Sequence, residues 1–238
     1  MFRLKNLNLI CSMQELQALP QGKLLINTIN AHSYNTARKD TPFAEALEGG
    51  DALIPDGMSI VKACKWINAK SQPTCRIAGW DLFCYEMGRA KGTVMFLGSS
   101  EQTLQKIKEK AKEQYPDLNI VTYSPPYKPV FSPEDSAAMV KAVNDANPDL
   151  LWIGMTAPKQ EKWTYQHWAE LDIHCHCGTI GAVFDFFAGN MQRAPLWWQQ
   201  HGLEWLYRLI KEPRRMWRRY IIGNAKFLYY MIGERVNS

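Results

Sequence analysis

The chain has 238 residues, of which 46% are hydrophobic and 21% charged, and its formal net charge is +5. The length suits one large domain or a domain with an appendage, and the composition excludes a chain that is disordered throughout. No run of 18 or more apolar residues occurs, which argues against a membrane-spanning helix. The N-terminal segment lacks the pattern of a secretion signal, so we expect a cytoplasmic protein whose six cysteines are reduced.

Hydrophobic periodicity predicts strands that alternate with helices over the first 190 residues. The predicted strands are 23–27, 52–54, 93–97, 118–123, 150–155 and 173–180. The predicted helices are 31–47, interrupted at Thr41 and Pro42, then 58–67, 80–90, 101–115, 134–144 and 159–171. This alternation is typical of an α/β fold with a parallel sheet covered by helices on both faces.

Candidate site residues follow the predicted strands, because ligands of open parallel sheets bind beyond the carboxyl ends of the strands. Asp56 lies in a Pro-Asp-Gly tripeptide between a strand and a helix. The tripeptide is a common turn, but a carboxylate at this place can also act as a general base. Gly98 and Ser99 precede a helix, where they either cap it or present backbone N–H groups to a phosphate.

The run His-Cys-His-Cys at 174–177 contains residue types that bind metals. On a strand, however, the cysteines point to one side and the histidines to the other. The spacing is also too tight for a tetrahedral zinc site. We therefore favour packing within a buried strand and expect no metal site.

Positive charge is concentrated at the C-terminal end of the chain. Residues 191–238 contain seven Arg and two Lys against three Glu, a net charge of +6, so the first 190 residues sum to −1. Four of the arginines, at 214, 215, 218 and 219, form two neighbouring stripes on a helix, and arginine binds phosphate oxygens bidentately. With nearby tryptophans, the pattern predicts a helical basic appendage at 191–238 that contacts a lipid headgroup or a diphosphate.

Several strings together resemble the bacterial N-acetylmannosaminyltransferase family of the WecG/TagA/CpsF type. They include INTINA (26–31), LIPDGMSIV (53–61), RIAGWDL (76–82), NPDLLWIGMTAPKQEKW (147–163), GAVFDFFAGNMQRAP (181–195) and GLEWLYRLIKEPRRMWRRY (202–220). The resemblance implies a Rossmann-like domain at 1–190 whose active site is completed by the appendage. It also implies an inverting transferase for cell-surface polysaccharide synthesis, which moves a hexose or an N-acetylhexosamine such as N-acetylmannosamine from a UDP-sugar. The implied acceptor is a lipid-diphosphate-linked, undecaprenyl-type saccharide at the inner face of the cell membrane.

The same resemblance assigns the site residues. It implies catalytic roles for Asp56, as the base, and for Thr28 and Gln160. The residues expected to bind substrate are Asn30, Gly98, Ser99, Pro158, Lys159, Asp185, Arg193, Arg214, Arg215, Arg218 and Arg219. The expected enzyme needs neither a cofactor nor a metal, because the chain contains no Asp-x-Asp string and arginines can stabilise the departing UDP instead.

The chain departs from the family pattern at Ile29, Trp80 and Thr156. These positions affect the expected sugar and acceptor more than the reaction class. Two other classes of protein stay open: a nucleic-acid binder that uses the basic appendage, and a Rossmann oxidoreductase, for which the Gly-rich turn is missing. We favour the transferase, which has no nucleic-acid partner. Whether it forms a homo-oligomer is left open, and the sheet domain is expected to fold without the residues after Gly189.

Overall fold

The structure is a computed structural model that describes residues 1–236, except for the side chain of Arg215. Its centre is a six-stranded sheet in which all neighbouring strands are parallel. The strands are β1 (Leu24–Ile29), β2 (Ala52–Pro55), β3 (Thr93–Gly98), β4 (Asn119–Tyr123), β5 (Leu150–Gly154) and β6 (His176–Thr179), in the order β2-β1-β6-β5-β3-β4. The predicted α/β, Rossmann-like parallel sheet is thus confirmed.

Helices surround this sheet and continue past it into the C-terminal part. They are α1 (Met13–Gln17), α2 (Ala31–Ala37), α3 (Thr41–Glu48), α4 (Met58–Trp66), α5 (Gly79–Arg89), α6 (Glu101–Gln114), α7 (Pro133–Ala146), α8 (Lys159–Gln166), α9 (Val183–Phe187), α10 (Leu196–Gln200), α11 (Glu204–Lys211), α12 (Pro213–Trp217) and α13 (Gly223–Val236). A short 3₁₀ helix spans Leu4–Asn6, and a π-helical segment, Arg218–Ile222, joins α12 to α13. The predicted interruption between α2 and α3 has a local cause, since the Asp40 carboxylate caps α3 by accepting the Phe43 N–H at 3.1 Å.

Aromatic side chains fill the core on one face of the sheet. Trp152 of β5 is 1% exposed and lies 5.4 Å, between ring centroids, from Phe83 of α5. Phe187 of α9 lies 4.9 Å from the same Phe83 ring, and Phe96 of β3 packs on Phe184 at 5.3 Å. These contacts attach α5 and α9 to the middle of the sheet, so the loops that follow β5 and β6 start from a rigid base.

The His-Cys-His-Cys run has the side-chain arrangement expected for a strand, although β6 itself starts only at His176. Cys175 and Cys177 are buried in one core cluster. His176 is buried on the other side, where its Nδ1 lies 3.0 Å from a Glu86 carboxylate oxygen and its Nε2 lies 2.9 Å from the Pro20 carbonyl oxygen. The hydrogen bond to Glu86 is the main reason that the pKa of His176 is raised.

The last helix, α13, is built into the core rather than attached to its surface. Phe227 and Met231 are buried in the same cluster as Phe2 and Tyr34. The adjacent Glu234 carboxylate, 4% exposed as a residue, accepts the Leu4 N–H at 3.0 Å and the Lys5 N–H at 2.8 Å, and it also accepts the Tyr34 hydroxyl. This packing argues against our expectation that the sheet domain folds without the residues after Gly189.

Replacement of Glu234 tests this anchoring. Glu234→Ala should lower the free energy of unfolding by about 3 kcal/mol or more, because it leaves the buried Leu4 N–H and the partly buried Lys5 N–H without their acceptor. Urea titration followed by circular dichroism measures the change. The control is Glu113→Ala on the exposed face of α6, which should stay within about 0.5 kcal/mol of the parent. Equal losses in the two variants would contradict the anchoring role.

Candidate active site

A cavity of about 1200 Å³ opens at the carboxyl ends of the strands. The residue immediately after each of β1, β2, β3, β5 and β6 lies in its wall. These five residues are Asn30, Asp56, Ser99, Met155 and Ile180. The parallel register produces this convergence, because all carboxyl ends of a parallel sheet meet at one edge. The cavity therefore lies where the sequence analysis placed the candidate residues.

The C-terminal appendage forms the facing wall of this cavity. Its cavity-lining residues are Arg193, Gly202, Glu204, Trp205, Arg208, Arg219, Tyr220 and Asn224. Three of the eight are arginines, so positive charge faces the strand ends across the cavity. The two parts of the chain thus enclose one site between them.

Asp56 lies between these two walls. Its backbone N–H donates to the Ile29 carbonyl at 2.8 Å, which holds the end of β2 against the end of β1. The next residue, Gly57, has φ +139°, a backbone conformation that side chains disfavour, and it opens α4. The turn therefore aims the Asp56 side chain into the cavity. In the described part of the chain no hydrogen bond occupies this carboxylate.

The electrostatic surroundings of Asp56 are mixed. Burial is the largest cause that raises the pKa of Asp56 to about 6, and the negative charge of Glu204 adds to it. The positive charges of Arg76 and Arg208 act in the opposite direction. A carboxyl group with this pKa is mostly ionised at neutral pH and still basic enough to take a proton.

Arg76 connects the two walls beside Asp56. Its guanidinium donates to the Glu204 carboxylate at 2.7 Å and lies 4.0 Å from the Asp81 carboxylate. Asp81 is itself held at the start of α5, where it accepts the Ala78 N–H at 2.8 Å. The Arg76–Glu204 ion pair joins residues 128 positions apart and ties the start of α11 to the sheet domain. Sequence reasoning assigned no role to either residue, since no local pattern marks such a pair.

Thr28 and Asn30 lie in the cavity wall as predicted. Thr28 is near the end of β1, and its side chain is partly exposed to the cavity. The Asn30 side-chain oxygen caps α2, because it accepts the His32 N–H at 3.0 Å and the Ser33 N–H at 3.1 Å. Asn30 thus has a structural task at the cavity edge in addition to any contact with substrate.

Gln160 has a different environment from the one expected of a reacting group. It is 3% exposed, and both ends of its amide are engaged. The oxygen accepts the Met155 N–H at 3.1 Å, and the nitrogen donates to a Glu161 carboxylate oxygen at 2.8 Å. These bonds hold the loop between β5 and α8, which includes the cis peptide bond Ala157–Pro158. The geometry makes Gln160 a positioning residue.

Glu161 is a cavity residue that the sequence analysis missed. It is 2% exposed, and its second carboxylate oxygen has no hydrogen-bond partner within the described residues. Burial raises the pKa of Glu161 to about 7, although the hydrogen bond from Gln160 opposes the rise. The only sequence signal was its place directly after Gln160 in the APKQE string.

Gly98 has a packing role at the end of β3. A side chain there would meet the Gly154 carbonyl oxygen at 2.5 Å, so glycine allows β3 and β5 to lie side by side at their ends. Ser100, not Gly98, caps α6 by accepting the Thr103 N–H at 3.2 Å. Of the described residues, those that line the cavity include Ser99 but neither Gly98 nor Pro158.

Three other predicted residues, Lys159, Asp185 and Arg193, do line the cavity. The Lys159 ammonium group donates to the Lys128 carbonyl at 2.8 Å, and burial lowers the pKa of Lys159. The Arg193 guanidinium lies 5.4 Å from the centre of the Trp80 ring. Trp80, which departs from the family pattern, is therefore part of the cavity wall and supports an arginine there.

The described arginines of the predicted cluster do not all line the large cavity. Arg219 lines the large cavity, whereas Arg214 and Arg218 are exposed and lie outside its wall. The side chain of Arg215 lies outside the described part of the structure. The appendage arginines that accompany Arg219 at the cavity are Arg193 and Arg208, and the sequence analysis had assigned no role to Arg208.

The family described as "Glycosyl transferase WecG/TagA/CpsF family" matches residues 2–238. The chain belongs to this family. It is therefore a glycosyltransferase, as the sequence analysis favoured over a nucleic-acid binder or an oxidoreductase. A relative from Bacillus subtilis (strain 168), named N-acetylglucosaminyldiphosphoundecaprenol N-acetyl-beta-D-mannosaminyltransferase, is 31% identical over 217 residues, which cover 90% of this chain and 81% of the relative.

Two further observations bear on partners of this transferase. Within residues 1–236, no three or more His, Cys, Asp or Glu side chains are grouped so that they could hold a metal ion. Across the same residues, no helix combines the length and apolar character that crossing a membrane requires.

The raised pKa of Asp56 predicts a stability effect. A carboxyl whose pKa rises from 3.8 to about 6 on folding destabilises the folded state once it is ionised. Asp56→Asn should therefore raise the free energy of unfolding above pH 6, by on the order of 1 to 3 kcal/mol. The gain should shrink as the pH falls and vanish below about pH 4, where the carboxyl is protonated in both states. Urea titrations of the parent and of Asp56→Asn from pH 4 to pH 8 measure this gain in the free energy of unfolding. A gain that does not change with pH would contradict the raised pKa of Asp56.

Proposed function

We propose that this glycosyltransferase moves N-acetylmannosamine, or a closely related hexose or N-acetylhexosamine, from a UDP-sugar to a lipid-diphosphate-linked, undecaprenyl-type saccharide. The transfer inverts the anomeric configuration and needs no metal. The activity in the name of the Bacillus subtilis relative supports the sugar and the acceptor class. The single observation that carries the proposal is Asp56, which stands at the strand ends of a large cavity and faces the appendage arginines.

In the proposed reaction the acceptor sugar hydroxyl lies against the Asp56 carboxylate. As the hydroxyl oxygen attacks the anomeric carbon, its proton passes to Asp56. The new carbon–oxygen bond forms on the face opposite the bond to UDP, and that bond breaks with both electrons going to the diphosphate. The Asp56 carboxylate accepts no hydrogen bond from the described residues, and its pKa is about 6. Both properties suit a base that works near neutral pH.

The leaving diphosphate gains negative charge during this step, and cations held in place beforehand stabilise it best. Arg193, Arg208 and Arg219 line the cavity from the appendage side. Arg208 stacks over the Phe186 ring at 4.9 Å, and Arg193 stacks over Trp80, so both guanidinium groups are held by aromatic faces. We assign the leaving group to these three arginines.

The remaining cavity residues have supporting tasks. Gln160 fixes the loop after β5, and Arg76 holds the appendage against the strand ends. Thr28 and Asp185 are proposed to bind sugar hydroxyl groups, since both carry hydrogen-bonding oxygens in the cavity wall. Glu161 is proposed to donate a hydrogen bond when protonated, because its pKa of about 7 leaves it partly neutral.

We also propose that the appendage contacts the surface of the membrane that carries the acceptor. Its helices expose many large apolar side chains, which suits an interfacial position beside basic residues. They are Leu196, Trp197, Trp205, Ile210, Trp217, Ile221, Ile222, Leu228, Tyr229, Ile232 and Val236. Arg214 is exposed in the same segment and would face anionic lipid headgroups.

The general base can be tested by substitution. Asp56→Asn should lower kcat by roughly 10² to 10⁴, because the amide cannot take the proton, while UDP binding stays within a few fold. The parent kcat/KM should fall as the pH falls through about 6, where the base becomes protonated. UDP release with a panel of donors and a lipid-linked acceptor measures both effects. Glu161→Gln is the matched control, and its kcat/KM should still fall as the pH falls through about 6. Asp56→Asn activity within tenfold of the parent would contradict the role.

The charge on the departing UDP provides a second test. If arginines stabilise it, EDTA should leave the rate unchanged and added Mg²⁺ or Mn²⁺ should not restore or stimulate it. Arg208→Ala should lower kcat by about 10², even with a water-soluble acceptor analogue. Arg214→Ala should keep the parent kcat on that analogue, because Arg214 lies outside the cavity wall. If EDTA abolishes activity and added metal restores it, a metal ion rather than the arginines stabilises the departing UDP.

A further inference from the structure

A second, smaller cavity of about 580 Å³ lies on the far side of Arg219 from the first. It is enclosed by α2 and the α2–α3 junction on one side, and by the end of α12, the π-helical segment and α13 on the other. Arg219 and His32 line both cavities, so they form a shared wall. Nothing in the proposed reaction uses this second cavity.

Positively charged side chains are concentrated in the wall of the second cavity. Lys39, Arg218 and Lys226 all line it, and within residues 1–236 none of the three forms an ion pair. The one carboxylate in the wall belongs to Asp40, which already accepts from Lys162 at 3.0 Å. Uncompensated cations around a concave space favour an anionic ligand.

The same cavity also has an apolar side. Ile222, Met216 and Tyr230 lie in its wall, and Ile222 is 40% exposed. The adjacent Ile221 is 59% exposed, so an apolar surface continues outward from the cavity. Cations inside and apolar side chains at the edge match a molecule with an anionic head and a hydrocarbon tail.

We propose that this second cavity binds the diphosphate of the lipid-linked acceptor. The cavity lies apart from Arg193 and Arg208, which serve the UDP diphosphate, and it shares only Arg219 with that group of three arginines. This inference rests on the proposed function, which requires two diphosphate groups to be held at once. The acceptor sugar would enter the large cavity past Arg219 toward Asp56, and the lipid would leave over Ile221 and Ile222.

Direct binding tests the cavity without requiring turnover. Farnesyl diphosphate serves as the water-soluble probe, and calorimetry measures its binding to the full chain saturated with UDP. We expect binding in the presence of UDP, and Lys39→Ala and Lys226→Ala should each weaken it by about tenfold or more while UDP affinity stays within about twofold. The controls Arg214→Ala and Lys141→Ala remove exposed cations outside the cavity and should bind the probe as the parent does. Competition between UDP and the probe, or parental binding by both cavity variants, would overturn the proposal.

Two further measurements identify the source of the anion. With a short-chain acceptor, Lys226→Ala should raise the acceptor KM and leave the donor KM and kcat near the parent values. Vesicles of phosphatidylglycerol and phosphatidylcholine report contact with bulk lipid, and Arg214→Ala should weaken their binding at least as much as Lys226→Ala. If Lys226→Ala instead weakens binding to vesicles and leaves the affinity for farnesyl diphosphate unchanged, the cavity contacts the headgroups of bulk lipid, and the proposal fails. Absence of turnover with every donor, with probe binding intact, would instead refute the proposed function.

Discussion

Two carboxylates, one toward each end of the appendage, help to hold it against the sheet domain, and its contribution to the site depends on this attachment. Near its start, Glu204 forms an ion pair with Arg76 at 2.7 Å. Near its end, buried Glu234 accepts backbone N–H groups of Leu4 and Lys5. Between these anchors the chain crosses the carboxyl ends of the strands, which places Arg208 and Arg219 opposite Asp56. A segment of net charge +6 would otherwise have little reason to lie in one position.

The first anchor also affects the pKa of Asp56, the proposed base. Glu204 raises the pKa of Asp56, while its partner Arg76 and the neighbouring Arg208 lower it. The ion pair therefore places both signs of charge beside the base, and burial decides the net direction. The raised pKa means that ionised Asp56 destabilises the folded state, a cost that is common where a group is retained for activity. One ion pair thus both attaches the appendage and alters the electrostatic surroundings of Asp56.

Local patterns predicted the sheet and the strand-end residues, but not the contacts between distant parts of the chain. Asp56 and Thr28 could be found because strand periodicity and parallel topology together determine which edge they occupy. The Arg76–Glu204 and Leu4–Glu234 contacts join residues 128 and 230 positions apart, and no pattern within a window of a few turns encodes them. Helix α8 ends at Gln166 and β6 starts at His176, inside the predicted bounds, because apolar residues such as Leu171 and Ile173 are buried without belonging to either element. The family resemblance implied a catalytic role for Gln160, but a resemblance in sequence does not distinguish a chemical role from a positioning one, and the hydrogen bonds to Met155 and Glu161 indicate the latter.

The helical path of the appendage determines which cavity each of its cations lines. Arg218 and Arg219 are consecutive residues of the π-helical segment, so their side chains leave its axis in different directions. Both therefore contribute to the second cavity, but only Arg219 also reaches the first. The proposed transfer from a nucleotide-linked sugar to a lipid-linked one requires two diphosphates to be kept apart while a hydroxyl approaches an anomeric carbon. In that proposal the segment that carries Arg218 and Arg219 separates the two cavities, so a single wall would set the distance between the two anions.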